Sequence, residues 1–343
     1  MTLTQTAIIA KQIITLSIIA LSLGIVSFIG YRIWYSYYLS TLPPVEEKPD
    51  YKFGILPSVD FPKVSVSSSN FSYSIDTTTG NLPKVGVDPG FEKIIKVYFV
   101  IKPVSTLLSP ERSQTLAEKF GITNPAEILS ETTYFYKDNN KSLTVDLDSG
   151  NFSYSKESSP SAKEGLDEDD KLVRDFQNTL NLMGGSKDDL KNGRSKVLLL
   201  KRAGNKFIPT TDLNEAEGAQ ISLWPQGLDN KEIFTADFNK SQVFGIVLKS
   251  ADNLDNYLSL NFTFWSVDTT TFATYPIKDA TVAFEDLKLG KGVVVIEPSK
   301  PQVSITSISL GYYLADNYTP YLQPIYIFEG PQFASYVPAI SPD

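Results

Sequence analysis

Ile13-Ile14-Thr15-Leu16-Ser17-Ile18-Ile19-Ala20-Leu21-Ser22-Leu23-Gly24-Ile25-Val26-Ser27-Phe28-Ile29-Gly30-Tyr31 is an apolar run without a charge. An α-helix rises about 1.5 Å per residue, so about 20 such residues match a bilayer hydrocarbon core of about 30 Å. The run predicts a transmembrane helix. Arg32, Trp34, Tyr35, Tyr37 and Tyr38 follow at once. These aromatic and long basic side chains are of the kind that settle at headgroup depth, and they are expected to mark the far membrane interface. A cleaved secretory signal would end on a small-residue site, whereas this apolar core runs into Gly30-Tyr31-Arg32-Ile33-Trp34; the segment reads as a signal anchor. Lys11 and the α-amino group on one side, against Arg32 on the other, favour a cytoplasmic N-terminus. The expectation is a single-pass protein of the cell membrane with an extracytoplasmic body. A buried core helix is the rival reading, and it has to account for an unpunctuated apolar run placed just before a proline-rich break.

Composition narrows the chemistry. The 343 residues include no histidine, no cysteine and two methionines, with 31 basic against 39 acidic side chains and a net charge of -8. Ser-His-Asp and Cys-His catalysis, thiol redox work, zinc sites of the His/Cys type and His-ligated haem all need residues that are missing. No cofactor is expected. An acidic chain without a Lys/Arg stripe is also repelled by phosphates, so nucleic acid is not an expected partner. Without disulfides the body must be held by an ordinary hydrophobic core, for which its length suffices.

Outward from the anchor, residues 42–63 read as a tether. Leu42-Pro43-Pro44-Val45-Glu46-Glu47-Lys48-Pro49-Asp50 combines fixed φ angles with solvated charges, and Pro57 and Pro62 continue the irregular stretch. Alternation begins at Val64-Ser65-Val66-Ser67. Strands are predicted at Phe71–Ile75 and Lys93–Ile101, and the turn chemistry of Asp76-Thr77-Thr78-Thr79-Gly80-Asn81-Leu82 predicts that they form a hairpin. Ser109-Pro110-Glu111 opens a short amphipathic helix, with Leu116 and Phe120 on one face and Gly121 as terminator. Thr132–Tyr136, Ser142–Leu147 and Asn151–Ser155 then predict a meander of hairpins.

Two acidic groups invite a metal reading. Asp146, Asp148 and Glu157 superficially fit a calcium loop, but an EF-hand has its glycine at the sixth position and Gly150 falls at the fifth, within β alternation. A hairpin turn is expected there, an echo of Asp76–Leu82 with the shared spacing Asp-x-x-x-Gly-Asn-apolar. Asp167-Glu168-Asp169-Asp170 immediately precedes Leu172, Val173, Phe176, Leu180 and Met183 at helical spacing, so these acids are read as a helix start opposing the positive dipole end. No metal site is assigned.

The polar stretch 156–165 predicts a domain boundary. Beyond it, strands are expected at Lys196–Leu200, Gln220–Trp224, Val243–Leu248 and Tyr257–Trp265, and a helix at Ala280–Leu287 capped by Asp279 and stopped by Gly290. A last long hairpin is expected from Val303–Tyr313 and Leu322–Gly330, followed by a closing strand at Phe333–Val337. Tyr312, Tyr313, Tyr318, Tyr321, Tyr326 and Phe328 crowd this region. Aromatic cross-strand packing is the preferred reading, with Tyr318 and Tyr321 kept as loop candidates for partner binding.

The Asp-x-x-x-Gly-Asn hairpin is similar to that of PepSY domains. Tyr275-Pro276-Ile277, the helix after it, Gly290-Lys291-Gly292, Leu310-Gly311-Tyr312 and Gln323-Pro324-Ile325-Tyr326 resemble the C-terminal pattern of membrane-anchored regulators of the YycH/YycI type. That likeness spans the C-terminal region from Tyr275 and two short hairpins, and none of its motifs is catalytic. It implies a single-pass anchor with an extracytoplasmic α+β body that binds a peptide or an envelope protein, and modulation of a membrane kinase or protease as the family theme. No binding residue carries over.

The expected fold class is therefore α+β, one N-terminal transmembrane helix followed by a β-rich region of antiparallel sheets with a few short helices. The expected divisions are 1–41 anchor, 42–63 tether, 64–157 a PepSY-like hairpin domain and 158–343 a YycI-like second domain. The expected role is a non-enzymatic binding or regulatory module engaging a peptide or envelope partner. Two alternatives stand beside it: a passive component of an envelope assembly, and a carboxylate-dependent glycan-active enzyme, which needs two acids facing one cleft.

Overall fold

The computed structural model describes residues 3–41, 48–157, 165–185, 187–204 and 206–340. The chain divides into two units, Met1–Lys48 and Pro49–Asp343. The first is one helix, α1 (Leu3–Thr41), on which apolar residues run all round rather than along a stripe. Its stretch Ile14–Tyr38 is 25 residues long, apolar enough to cross a membrane, and no part of its apolar window is buried by protein. A core helix would be covered, so the rival core-helix reading fails. The helix continues unbroken past Tyr31, which sets the aromatic residues on regular helical turns instead of beyond the helix end.

Among its described residues the second unit carries eighteen strands and four α-helices. Its first part holds β1 (Ser72–Ile75), β2 (Ile94–Val100), α2 (Ser109–Lys119), β3 (Glu127–Ile128), β4 (Thr133–Asp138), β5 (Lys141–Asp146), β6 (Phe152–Lys156), α3 (Asp169–Leu182) and α4 (Asp188–Lys191). Then follow β7 (Ser195–Ala203), β8 (Lys206–Pro209), β9 (Gly218–Leu223), β10 (Ile233–Phe234), β11 (Val243–Val247), β12 (Tyr257–Phe262) and β13 (Val267–Pro276). The last part is α5 (Ala280–Lys288), β14 (Val293–Ile296), β15 (Gln302–Ile305), β16 (Ser307–Tyr313), β17 (Tyr321–Gly330) and β18 (Phe333–Pro338).

A nine-stranded antiparallel sheet runs in the order β3-β4-β5-β6-β12-β11-β9-β7-β8. Helices α2 and α3 cover it, placing Leu116, Phe120, Leu172, Phe176 and Leu180 in one core with Tyr154, Ile221 and Leu260. Gly245 of β11 makes room for this contact: a Cβ there would stand 2.8 Å from the Tyr257 ring and 3.0 Å from the Phe176 ring. The second sheet runs β10-β16-β17-β18-β14, with β2 bridging β17 and β13. Its core gathers Ala283, Phe284 and Leu287 of α5 with Tyr312, Tyr326 and Phe328. Most of the C-terminal aromatics therefore pack within the sheet, and the α+β architecture matches the class expected from the sequence.

Three expectations change. The hairpin between Phe71–Ile75 and Lys93–Ile101 does not form: β1 pairs in parallel with β15, while β2 pairs with β13 and β17. Period-two alternation identifies a strand and its face but carries no information about its partner. The expected boundary between 157 and 158 falls inside one sheet, because β6 lies in register with β12, Phe152 opposite Phe262. Residues 158–164 lie outside the described residues. Of the expected tether, residues 42–47 are also outside them, and the stretch from Pro49 belongs to the body. Asp50 exchanges bonds with Thr274 (2.9 and 2.8 Å), Phe53 stacks on Tyr321 at 4.7 Å, and Phe61 meets Tyr313 at 5.0 Å. The prolines leave this strap without regular structure, but the apolar residues between them pay for its ordering by covering the sheet.

Candidate functional site

The hollow best placed to receive another molecule forms where β5 turns into β6. Asp146 Oδ1 accepts from Ser149 N and Oγ at 2.8 and 2.6 Å, and Gly150 takes φ 72° and donates to Asp146 O. The Asp146–Asn151 motif is thus a hairpin turn, as its spacing predicts. Asp148 Oδ1 accepts Ser105 N at 2.9 Å, which draws the 101–108 loop over the turn. That loop runs into α2, whose Lys119 Nζ reaches Leu182 O at the end of α3 (2.7 Å). Between loop, α2, turn and the end of α3 lies a hollow of about 430 Å³, lined by Val104, Ser109, Arg112, Leu116, Asp148 and Met183, among others.

The elements that border the hollow carry exposed apolar side chains. Leu107 is fully open to solvent at 101 %, Val104 at 71 % and Leu108 at 54 %. The β3–β4 turn stands at the same end of the sheet, since Thr132 O accepts Leu147 N at 2.7 Å, and it adds Ile128 and Leu129, both exposed. Leu182 adds a sixth exposed side chain from α3. Most polar groups around the hollow are already committed: Ser113 to Pro110 O and Tyr136, Thr115 to Glu111 O, Asp146 to Ser149 within the turn and Asp148 to Ser105 of the loop. Among the described residues the Arg112 guanidinium has no hydrogen bond or ion pair. The site combines apolar contact area with one uncommitted cation.

No family model matches the chain. No curated protein matches it either. Among solved structures, it is similar to an uncharacterized protein from Eubacterium rectale, with a TM-score of 0.33 and 11 % sequence identity over 79 % of this chain and 90 % of that one.

The sequence candidates fall elsewhere. Tyr318 is half-buried, its hydroxyl donates to Val100 O at 3.2 Å and its ring meets Trp265 edge-on. Tyr321 is half-buried beneath Phe53 and beside Phe99. Each has partners within the fold. On α1, Tyr31 stacks on Tyr35 at 5.9 Å and Trp34 on Tyr38 at 5.7 Å, one helical turn apart, while the Arg32 guanidinium lies over the Phe28 ring. With Tyr37, 69 % exposed, they form an aromatic girdle around this part of the helix.

Acidic side chains meet at two places. Asp167 pairs with Lys171 just before α3, and Asp169 and Asp170 fall in the first turn of the helix, where their charge opposes the dipole, although the N-cap residue Glu168 makes no side-chain capping bond. Among the described residues no group of three or more acids could hold a metal ion. Burial, reinforced by the Glu232 carboxylate, pushes the Glu329 carboxyl above its ordinary range against the pull of Arg194. Arg194 itself bonds Glu232 at 3.4 Å and lies on the Trp224 ring at 4.3 Å. Neither Glu232 nor Glu329 lines any of four hollows of about 200 to 430 Å³ on the body.

The sequence reading missed the leucine rim. Its one local signal was Val104-Ser105-Thr106-Leu107-Leu108, apolar residues held between Pro103 and Pro110 where neither a strand nor a helix could bury them. Arg112 carried no signal, because its lack of a partner exists only in the fold.

Proposed function

We propose that this protein is a membrane-anchored, extracytoplasmic binding or regulatory module. In this reading α1 stays in the bilayer as an uncleaved anchor with the N-terminus cytoplasmic, and the body captures an apolar, acidic peptide segment of an envelope protein. The observation that carries it is the 430 Å³ hollow together with six exposed apolar side chains on the loop, turn and helix end that border it, of which Val104 lines the hollow itself. Exposed apolar groups gathered at one place mark interaction sites, and isolated ones do not. The partner's apolar side chains enter the hollow, and its carboxylate meets Arg112. The resemblance to YycH/YycI-type regulators supports the same class of role. The lack of histidine and cysteine argues against most nucleophilic and metal-dependent chemistry.

Photocrosslinking from position 107 in intact cells tests the reading. Capture of a discrete envelope protein, lost on adding Arg112→Glu, is expected; an unchanged crosslink pattern with Arg112→Glu, or none at all, overturns it. Because the chain has no cysteine, single cysteines introduced at position 299 or position 5 report the topology directly. An impermeant maleimide should label the first and spare the second.

A further inference from the structure

A second hollow, of about 290 Å³, lies at the seam between the two sheets. The segment 235–242 between β10 and β11 forms one wall, Asn261 and Thr263 at the end of β12 another, and Asp316 after β16 the third. Most of its polar groups are spent on the fold. Thr235 Oγ1 accepts from Trp224 Nε1 and donates to the backbone at Asp237 or Lys240. Ser241 Oγ donates to Leu223 O, Asn261 Nδ2 donates to Gln242 O at 2.6 Å, and Asp237 Oδ1 accepts Asn239 N at 2.8 Å.

Asp237, exposed, keeps its Oδ2, and three further groups remain. Lys240 is half-buried with its ammonium 3.6 Å from the Phe244 ring centre, and among the described residues no carboxylate stands within ion-pair distance of it. Gln242 is only 8 % exposed. Its Nε2 donates to Leu314 O and to Asp316 Oδ1, both at 3.0 Å, which fixes the amide orientation because both partners are acceptors. Its Oε1 is therefore a buried acceptor, and it has no donor. Asp316 uses Oδ1 for that amide and keeps Oδ2. The hollow thus presents a cation without an ion-pair partner, acted on by the Asp237 carboxylate only from beyond that distance, and elsewhere in its lining the Asp316 carboxylate and an amide oxygen that lacks a donor.

We propose that this hollow binds a free α-amino acid. The ligand carboxylate pairs with Lys240 Nζ, and its ammonium donates to Asp316 Oδ2 and the Gln242 amide oxygen. A neutral polyol would serve the acceptors but leave Lys240 without an anion. An inorganic anion would serve Lys240 but face Asp237 and Asp316. A zwitterion answers both, and the volume admits one small molecule and little more. This site is independent of the leucine-rimmed hollow.

The test is calorimetric titration of the full-length protein in mild detergent with each of the twenty free amino acids, with acetate and methylamine as half-ligands. At least one amino acid should bind saturably, and each half-ligand at least tenfold more weakly. Lys240→Met, which keeps the stem on Phe244, and Asp316→Asn, at an exposed position, should each weaken binding at least tenfold while leaving the melting temperature of the unliganded protein unchanged. No binding by any amino acid, methylamine binding as tightly as the best amino acid, or undiminished binding by both variants would each overturn the proposal.

Discussion

Asp286→Asn should cost this protein about 3 kcal/mol, although it removes one charge and almost no volume. Asp286 on α5 bonds Lys278 Nζ at 2.7 Å and Lys291 Nζ at 2.9 Å. The Lys278 and Asp286 side chains are 7 % and 13 % exposed, whereas Lys291 is 64 % exposed. The Lys278 main chain is held in place, its carbonyl accepting the Tyr326 hydroxyl at 2.7 Å and its N–H donating to Ala339 O at 2.9 Å. The amide would leave a buried ammonium without its counter-charge, and breaking such a pair costs about 3 to 5 kcal/mol, of which Asn's remaining hydrogen bond recovers part. Lys291→Ala should cost under about 1 kcal/mol, since an exposed partner is screened by water. Lys278→Met combined with Asp286→Asn should recover most of the loss, the buried charge being gone.

Urea unfolding of the full-length protein in detergent, followed by tryptophan fluorescence, reads these differences; Trp224 at 1 % exposure is a sensitive reporter. A loss below about 1 kcal/mol for Asp286→Asn, or a double variant no better than the single, would refute the reasoning. The same pair sets a pH dependence. Burial works to raise the Asp286 carboxyl, but hydrogen bonds and charge from Lys278 and Lys291 outweigh it and hold the group below its ordinary value of 3.8. A depressed folded value means the stabilisation is complete above about pH 4 and is lost as pH falls through the folded value. Asp286→Asn should therefore differ from the parent at pH 7 and converge with it in strong acid.

Other perturbations test the rest of the fold. Gly245→Ala should destabilise by about 1 to 3 kcal/mol in urea unfolding, because its Cβ meets the Tyr257 and Phe176 rings. Phe53→Ala should cost about 1 to 2 kcal/mol and speed amide exchange at Tyr51 and Thr274, where the strap is bonded to β13. Leu107→Asp, at a fully exposed position, should change stability by less than about 0.5 kcal/mol while abolishing partner capture.

Strand existence was well announced in the sequence where alternation was strong, as in β4, β5 and β6, and so was the Gly150 turn that joins the last two. β13 escaped notice because its Thr269-Thr270-Thr271 stretch interrupts the pattern; in the fold this stretch falls in the register shift between Asp268 and Phe272. The candidate site was less legible than the fold. Tyr318 and Tyr321 looked like loop aromatics, but Trp265 and Phe53, distant in sequence, close over them.

The apolar helix is what the sequence by itself determined about this protein, because a continuous uncharged run needs no partner to declare that it is long and apolar enough to cross a membrane. Local turn chemistry was determined the same way, by side chains reaching backbone atoms a few residues off. Which strands pair, how the strap lies, and which charges go without a partner were decided only by tertiary structure. Residues at opposite ends of the sequence, such as Asp50 and Thr274 or Ser72 and Gln302, meet through the burial of whole faces, and no local pattern encodes which faces will be brought together.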